Sequence, residues 1–230
     1  MRIRNPFTRR TIIITVTLAC IAASLASCKT DDEPDWSTTS NSEKDTTNVT
    51  PDTPATLFYE SFNQLKGLGG NDGYYDNDAG AGVEIAQEDL LDASNLDNKT
   101  GWGDFVKVAV CNQCVRLATK KNNGSLTTPA ITLNGKQATL TFNAAAQLDD
   151  NVTLYVEASD GAQLTYNGTT ASKISVHLPV SEQGKTVLAN HTYSMQLSPA
   201  SASCRITFST ISSTTDKQRA FIDEIKIETK

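Results

Sequence analysis

With 230 residues the chain is long enough to bury a sizeable core, and its 20 lysines and arginines stand against 26 acids for a formal charge of −6. That balance argues against nucleic acid or an anionic lipid surface as partner, because both attract basic patches. Only two histidines are present, and neither GxSxG nor HExxH occurs, so the usual signatures of a Ser-His-Asp enzyme and of a zinc hydrolase are missing.

The chain opens with MRIRNPFTRR, basic and free of acids, followed by the apolar run Thr11 to Ala26. This run is shorter than the roughly 20 residues a helix needs to cross a bilayer, so residues 1–27 are expected to be a signal peptide. Leu25-Ala26-Ser27-Cys28 resembles a bacterial lipobox, which implies cleavage before Cys28 and lipidation of its thiol. The charged stretch after it, Lys29 to Glu33, resembles the export signal that carries lipoproteins of the Bacteroidota to the outside of the outer membrane. Cleavage would remove Arg2, Arg4, Arg9 and Arg10 and no acid, leaving 16 basic residues against 26 acidic ones, near −10. The lipid would then supply the attachment to the outer membrane.

Residues 28–55 are rich in Ser, Thr, Asp and Pro, with Trp36 as the one large apolar group; they are expected to form a disordered tether. From Thr56 onward, runs with period-two alternation recur. TLFYESF, DFVKVAV, CVRLAT, ATLTFNA, NVTLYVEA, KISVHLP, TYSMQL, CRITFST and AFIDEIKI are separated by Gly, Asn, Asp, Ser and Pro clusters. Only QEDLLDAS (87–94) could make a helix, and no βαβ spacing appears. The expectation for 56–230 is therefore one all-β domain, an antiparallel two-sheet jelly-roll sandwich.

Three cysteines fall in this domain: Cys111, Cys114 and Cys204. On a continuous strand, positions 111 and 114 would lie about 10 Å apart, too far for a disulfide, so a bridge requires a turn at Asn112-Gln113. A 111–114 bridge is expected, with a bridge to Cys204 or free thiols as the alternatives. The histidines, His177 and His191, stand alone on strands and offer no zinc pattern.

Two acids draw attention. AFIDEIKI places Asp223 on the face of Phe221, Ile225 and Ile227, and LFYESF places Glu60 on the face of Phe58 and Phe62. A buried carboxylate needs backbone N–H groups, an arginine or a metal ion. If the first and last strands are neighbours, the two acids would repel unless a cation or a shared proton lies between them. Calcium suits such oxygens, and Asn71, Asp72, Asp76 and Asp78 in GGNDGYYDNDAG could add more. Alternatively, Tyr59 or Ile222 faces inward instead, or Arg116 or backbone amides satisfy the acids.

YESF (59–62), GGNDG (69–73), GW (101–102), CVRLAT (114–119), GSLTTPAITL (124–133), ATLTF (138–142) and FIDEIKI (221–227) recur in that order in modules of Bacteroidota surface proteins. The chain thus resembles galactose-binding-like and carbohydrate-binding-module-like jelly rolls. The resemblance implies a structural calcium joining Glu60 to Asp223. The chain departs from the pattern in carrying Ala118 where VRLGT is usual, in lacking a cysteine around Leu65, and in a longer stretch at 95–103. The expected function is noncatalytic binding of a glycan, with Trp102, Tyr74, Tyr75 and Asn71 as contact residues. The alternatives are a structural or adhesive surface protein that binds no sugar, and a polysaccharide hydrolase or lyase.

Overall fold

Period-two alternation builds the molecule. In Ala138–Ala146 the even-numbered residues Leu140, Phe142 and Ala144 are buried in the main core, whereas Thr139, Thr141 and Asn143 are half-buried on the other face. The structure, a computed structural model, describes residues 53–66, the main chain of 83–85, and residues 96–119, 121–147, 150–179, 191–211 and 217–230. These lie in one compact unit, Val49–Lys230. Residues 1–52, with the signal peptide, Cys28 and nearly all of the tether, lie outside them, as does the helix expected at 87–94.

The strands in chain order are β1 (Thr56–Glu60), β2 (Val83–Ile85), β3 (Phe105–Val106), β4 (Val108–Cys111), β5 (Cys114–Leu117), β6 (Ser125–Thr127), β7 (Ile131–Thr132) and β8 (Ala138–Ala146). After them come β9 (Thr153–Ala158), β10 (Gln163–Tyr166), β11 (Thr169–Ala171), β12 (Lys173–His177), β13 (Thr192–Ser198), β14 (Ser203–Cys204), β15 (Ile206–Thr210) and β16 (Ala220–Thr229). A nine-stranded sheet runs β11-β10-β13-β8-β16-β5-β4-β2, with β1 also on β16. A five-stranded sheet runs β12-β9-β15-β6-β3, and β14 pairs with β7 alone. Every pairing that bears on the site is antiparallel. The expected all-β sandwich is formed, and the described residues contain no helix.

One core joins the two large sheets. Leu140, Met195, Ile222, Ile225 and Ile227 from the first meet Leu126, Leu154, Val156, Ile206 and Phe208 from the second. Phe142 and Phe208 stack edge to face across the gap, with ring centroids 5.0 Å apart. Burying each such ring contributes about 1.5–3 kcal/mol.

Strand β16 is the spine of the large sheet. Its first residues, Ala220–Ile222, pair with β5, and its later residues, Ile225–Glu228, pair with β1 along the same edge. Its opposite edge runs along β8, but with a register shift between Asp223 and Lys226. At the far end, Thr229 donates its N–H to the Ala55 carbonyl and accepts from the Ala55 N–H at its Oγ1, each at 2.9 Å.

The turn expected at Asn112-Gln113 is present, with Cys111 directly opposite Cys114 and Gln113 left-handed at φ 58°. The expected disulfide is not. No disulfide joins Cys111, Cys114 or Cys204, all of them buried, and the thiols of Cys111 and Cys114 hydrogen-bond to each other. Opposed strand residues hold their Cβ atoms about 4.5–5.5 Å apart, whereas a disulfide wants about 3.8 Å, so closing the bond would pull the strands together. The pair instead packs with Ala145 and Phe221 in a small apolar cluster separate from the main core.

Ala118, which stands where the resembled modules carry glycine, is left-handed at φ 70°. Its backbone is also crowded: a Cβ added to Gly124 would meet the Ala118 nitrogen at 2.2 Å.

Candidate functional site

The sequence alternation of AFIDEIKI fails at one residue. Asp223 lies opposite Asn143 and Lys226 opposite Thr141, so Glu224 and Ile225 together face the single residue Phe142. This is a β-bulge, and Glu224 sits in it in the left-handed conformation, φ 51°. Before the bulge Ile222 faces the core and Phe221 the opposite side; after it Ile225 and Ile227 face the core. Asp223 therefore shares the outer face with Phe221, and not the core face with Ile225 as the uninterrupted alternation predicts. The bulge sits where β16 exchanges β5 for β1 as its neighbour.

Glu60 lies on the other side of the sheet. It follows Phe58, a core residue, on the same face of β1 and stands opposite Ile225. Its carboxylate is fully buried and accepts from four N–H groups. Oε1 takes the backbone N–H of Asp97 at 3.1 Å and of Phe62 at 3.4 Å, and Oε2 takes the backbone N–H of Asn98 at 2.9 Å and its Nδ2 at 3.2 Å. Burial pushes its pKa up, opposed by the Asn98 and Asp97 amides. Ser61 adds to the knot, donating its N–H and hydroxyl to Asp97 Oδ2 at 2.9 and 2.6 Å.

The calcium clamp expected between Glu60 and Asp223 does not fit this geometry. The two carboxyls face opposite sides of one sheet, and Glu60's lone pairs are taken by N–H donors. No cluster of three or more His, Cys, Asp or Glu residues suited to a metal occurs among the described residues. Asp72, the third expected ligand, lies outside the described residues. Of the alternatives open from sequence, backbone amides are the one Glu60 takes.

Asp223 instead lines a groove of about 420 Å³ on the outer face of the large sheet, with Thr141 and Asn143 of β8, Thr192 of β13, and Glu224 and Lys226 of β16. Its side chain is nearly buried, and its pKa is pushed up to about 7 by burial first and by the Glu224 charge second, with the Glu224 N–H opposing. Thr192 donates its hydroxyl to Asn143 Oδ1 at 2.7 Å, which fixes the amide's orientation. Tyr59, exposed on β1 opposite Lys226, donates its phenol to Glu224 Oε2 at 2.6 Å and places an aromatic ring beside the groove. That hydrogen bond raises the Tyr59 pKa above its ordinary value and keeps the phenol neutral. Lys226 turns along its strand to Glu228, Nζ to Oε1 2.7 Å.

Trp102, expected to stack on a sugar, is a core residue. It is 4 % exposed, its ring packs among Phe58, Phe62 and Phe105, and its Nε1 donates to the Asn98 carbonyl at 2.6 Å. A large apolar ring gains more from this pocket than from solvent, and the carbonyl satisfies its one polar atom. Asn71, Tyr74 and Tyr75 lie outside the described residues. The sequence reading missed Tyr59, Thr141, Asn143, Thr192, Glu224 and Lys226. The available signal was the outward set of β8, Thr139, Thr141 and Asn143, small polar residues on a strand in the middle of the sheet.

No protein-family model matches the chain, and no curated protein sequence matches it. Solved structures similar to it include the K1 cleaved adhesin domain of Lys-gingipain from Porphyromonas gingivalis W83 (TM-score 0.41, 16 % identity, covering 77 % of this chain and 99 % of that one). Others are TmCBM61 in complex with β-1,4-galactotriose (TM-score 0.36, 13 % identity, 74 % and 91 % covered) and the carbohydrate-binding module CBM6cm-2 from Cellvibrio mixtus lichenase 5A in complex with cellotriose (TM-score 0.36, 10 % identity, 76 % and 99 % covered).

Proposed function

We propose that the chain is a surface lipoprotein whose β-sandwich binds glycan without cleaving it, through the groove on the outer face of the large sheet. The observation that carries this reading is the groove's lining. Hydroxyls from Thr141 and Thr192, the amide of Asn143 and two carboxyls surround a space of about 420 Å³, with the Tyr59 ring at its side. Sugars present hydroxyls that donate and accept, and C–H faces that lie on aromatic rings, so this mixture suits them. The groove is also built on rigid strands, which lowers the ordering cost of binding.

The anchoring half of the proposal rests on the sequence Leu25 to Cys28 and on the charged residues that follow. Labelled palmitate should enter the wild-type protein and not Cys28→Ala, and protease added to intact cells should remove the protein. For the binding half, a glycan array probed with purified protein should give discrete positives. Asn143→Ala and Tyr59→Ala should weaken them about tenfold or more while leaving the melting temperature within a degree or two. An empty array at high protein concentration would overturn glycan binding in favour of a purely structural or adhesive role. Release of new reducing ends from a bound polysaccharide would overturn the noncatalytic reading.

A further inference from the structure

The charges around the groove do not balance, and the imbalance is fixed by hydrogen bonds. On β16, Asp223 and Glu224 bring two carboxyls to the lining, and Lys226 brings one ammonium. That ammonium is drawn along the strand to Glu228 at 2.7 Å, and Glu228 in turn takes the Thr56 hydroxyl at 3.3 Å. Tyr59 from β1 contributes a neutral phenol whose proton is already committed to Glu224. Thr141 and Asn143 from β8 and Thr192 from β13 are uncharged. Among the described residues the groove therefore presents acceptor oxygens and, through Glu224, negative charge, and the one cation of its lining is held by a carboxylate outside it.

Building on the glycan-binding reading, we propose that this groove selects its ligand by charge: it takes neutral and amine-bearing sugars and excludes glycans rich in uronate. A sugar hydroxyl or ammonium donates to the carboxyls of Asp223 and Glu224, and a charge-assisted hydrogen bond of this kind is about twice as strong as a neutral one. A uronate carboxylate meets like charge in a partly desolvated space, where repulsion is screened far less than in water. Glu224 is the residue that sets this selectivity most directly. The bulge turns its side chain to the outer face, and the Tyr59 phenol holds it there.

The test uses an array of oligosaccharides that share a backbone and differ in charge: β-1,4-linked glucose, glucosamine and glucuronate hexamers, with the corresponding galactose, galactosamine and galacturonate series. At low ionic strength the neutral and amine forms of at least one backbone should bind, and its uronate should bind about tenfold more weakly or less. Raising the salt should weaken the amine form and leave the neutral form nearly unchanged. Glu224→Gln keeps the acceptor for Tyr59 and removes the charge, so it should reduce discrimination against the uronate at least about threefold. Asp223→Asn removes a carboxyl that burial keeps partly protonated at neutral pH, so it should shift the ratio in the same direction and by less. If a uronate binds as well as its neutral counterpart, or if neither variant changes the ratio, selection by charge is overturned and glycan binding stands. If no neutral, amine or uronate sugar binds, both readings fall together.

Discussion

Glu60 and Asp223 are both buried carboxyls on paired strands at the two ends of one domain, yet they meet opposite fates. Glu60 faces inward and spends its lone pairs on four N–H groups of two neighbouring loops. Asp223 faces outward, into a groove, and its pKa is governed by burial and by the neighbouring charge of Glu224. Burial alone does not distinguish an acid that knits loops together from one that faces an open groove. The donors around it and the space in front of it do.

The largest effect should come from cutting the Glu60 knot. Glu60→Ala leaves the amides of Asp97 and Asn98 without their acceptor, and a cost of about 3 kcal/mol or more is expected. In a domain of this size that lowers the melting temperature by on the order of 10 °C. Denaturant unfolding measures it, and a loss below about 1 kcal/mol would make the contrast between the two acids untenable.

Asp223→Asn should act in the opposite sense, and only with pH. The wild-type acid rises from an ordinary 3.8 to about 7 on folding, so the native state holds a proton that the unfolded state gives up between those values. Its favourable contribution is complete below pH 3.8 and is lost as pH rises through about 7. The variant should therefore lack this slope and be the more stable protein at pH 8. Equal pH profiles for the two proteins would remove Asp223 from the comparison.

A smaller change calibrates the backbone. Ala118 and Glu224 are both left-handed non-glycine residues on neighbouring strands or their ends, but only Glu224 lines the groove. Ala118→Gly should stabilise by about 0.5–1 kcal/mol with no effect on binding, which sets the strain that the bulge at Glu224 is expected to carry. The smallest effect is expected from calcium. With Glu60 already saturated by N–H groups and Asp223 on the opposite face, EDTA should leave the melting temperature unchanged, and a fall of several degrees would show that Glu60 gives up its amides to an ion.

Much of this architecture was legible. Alternation in ATLTFNA and TYSMQL located β8 and β13 and their inward residues, because a side-chain period of two is a property of the pleat itself. The hairpin of β10 and β11 has its own signal, Asn167-Gly168, both left-handed at φ 48° and 79°. The site was less legible. A bulge at a glutamate leaves no composition signal, yet it moves Asp223 to the other face, and with it the meaning of the last strand. Trp102 could face ligand or core from sequence alone, and what decides it is a carbonyl at Asn98 and the rings of Phe58, Phe62 and Phe105.

The mutual hydrogen bonds of Ala55 and Thr229 carry a practical consequence. The chain comes into the sandwich and leaves it at one point, so the unit can be spliced into a surface loop of an unrelated host, or closed by a short linker and reopened at Asn167-Gly168, without stretching any strand. A circular permutant cut at that turn should keep the groove intact and so could display it from either end of a fusion protein.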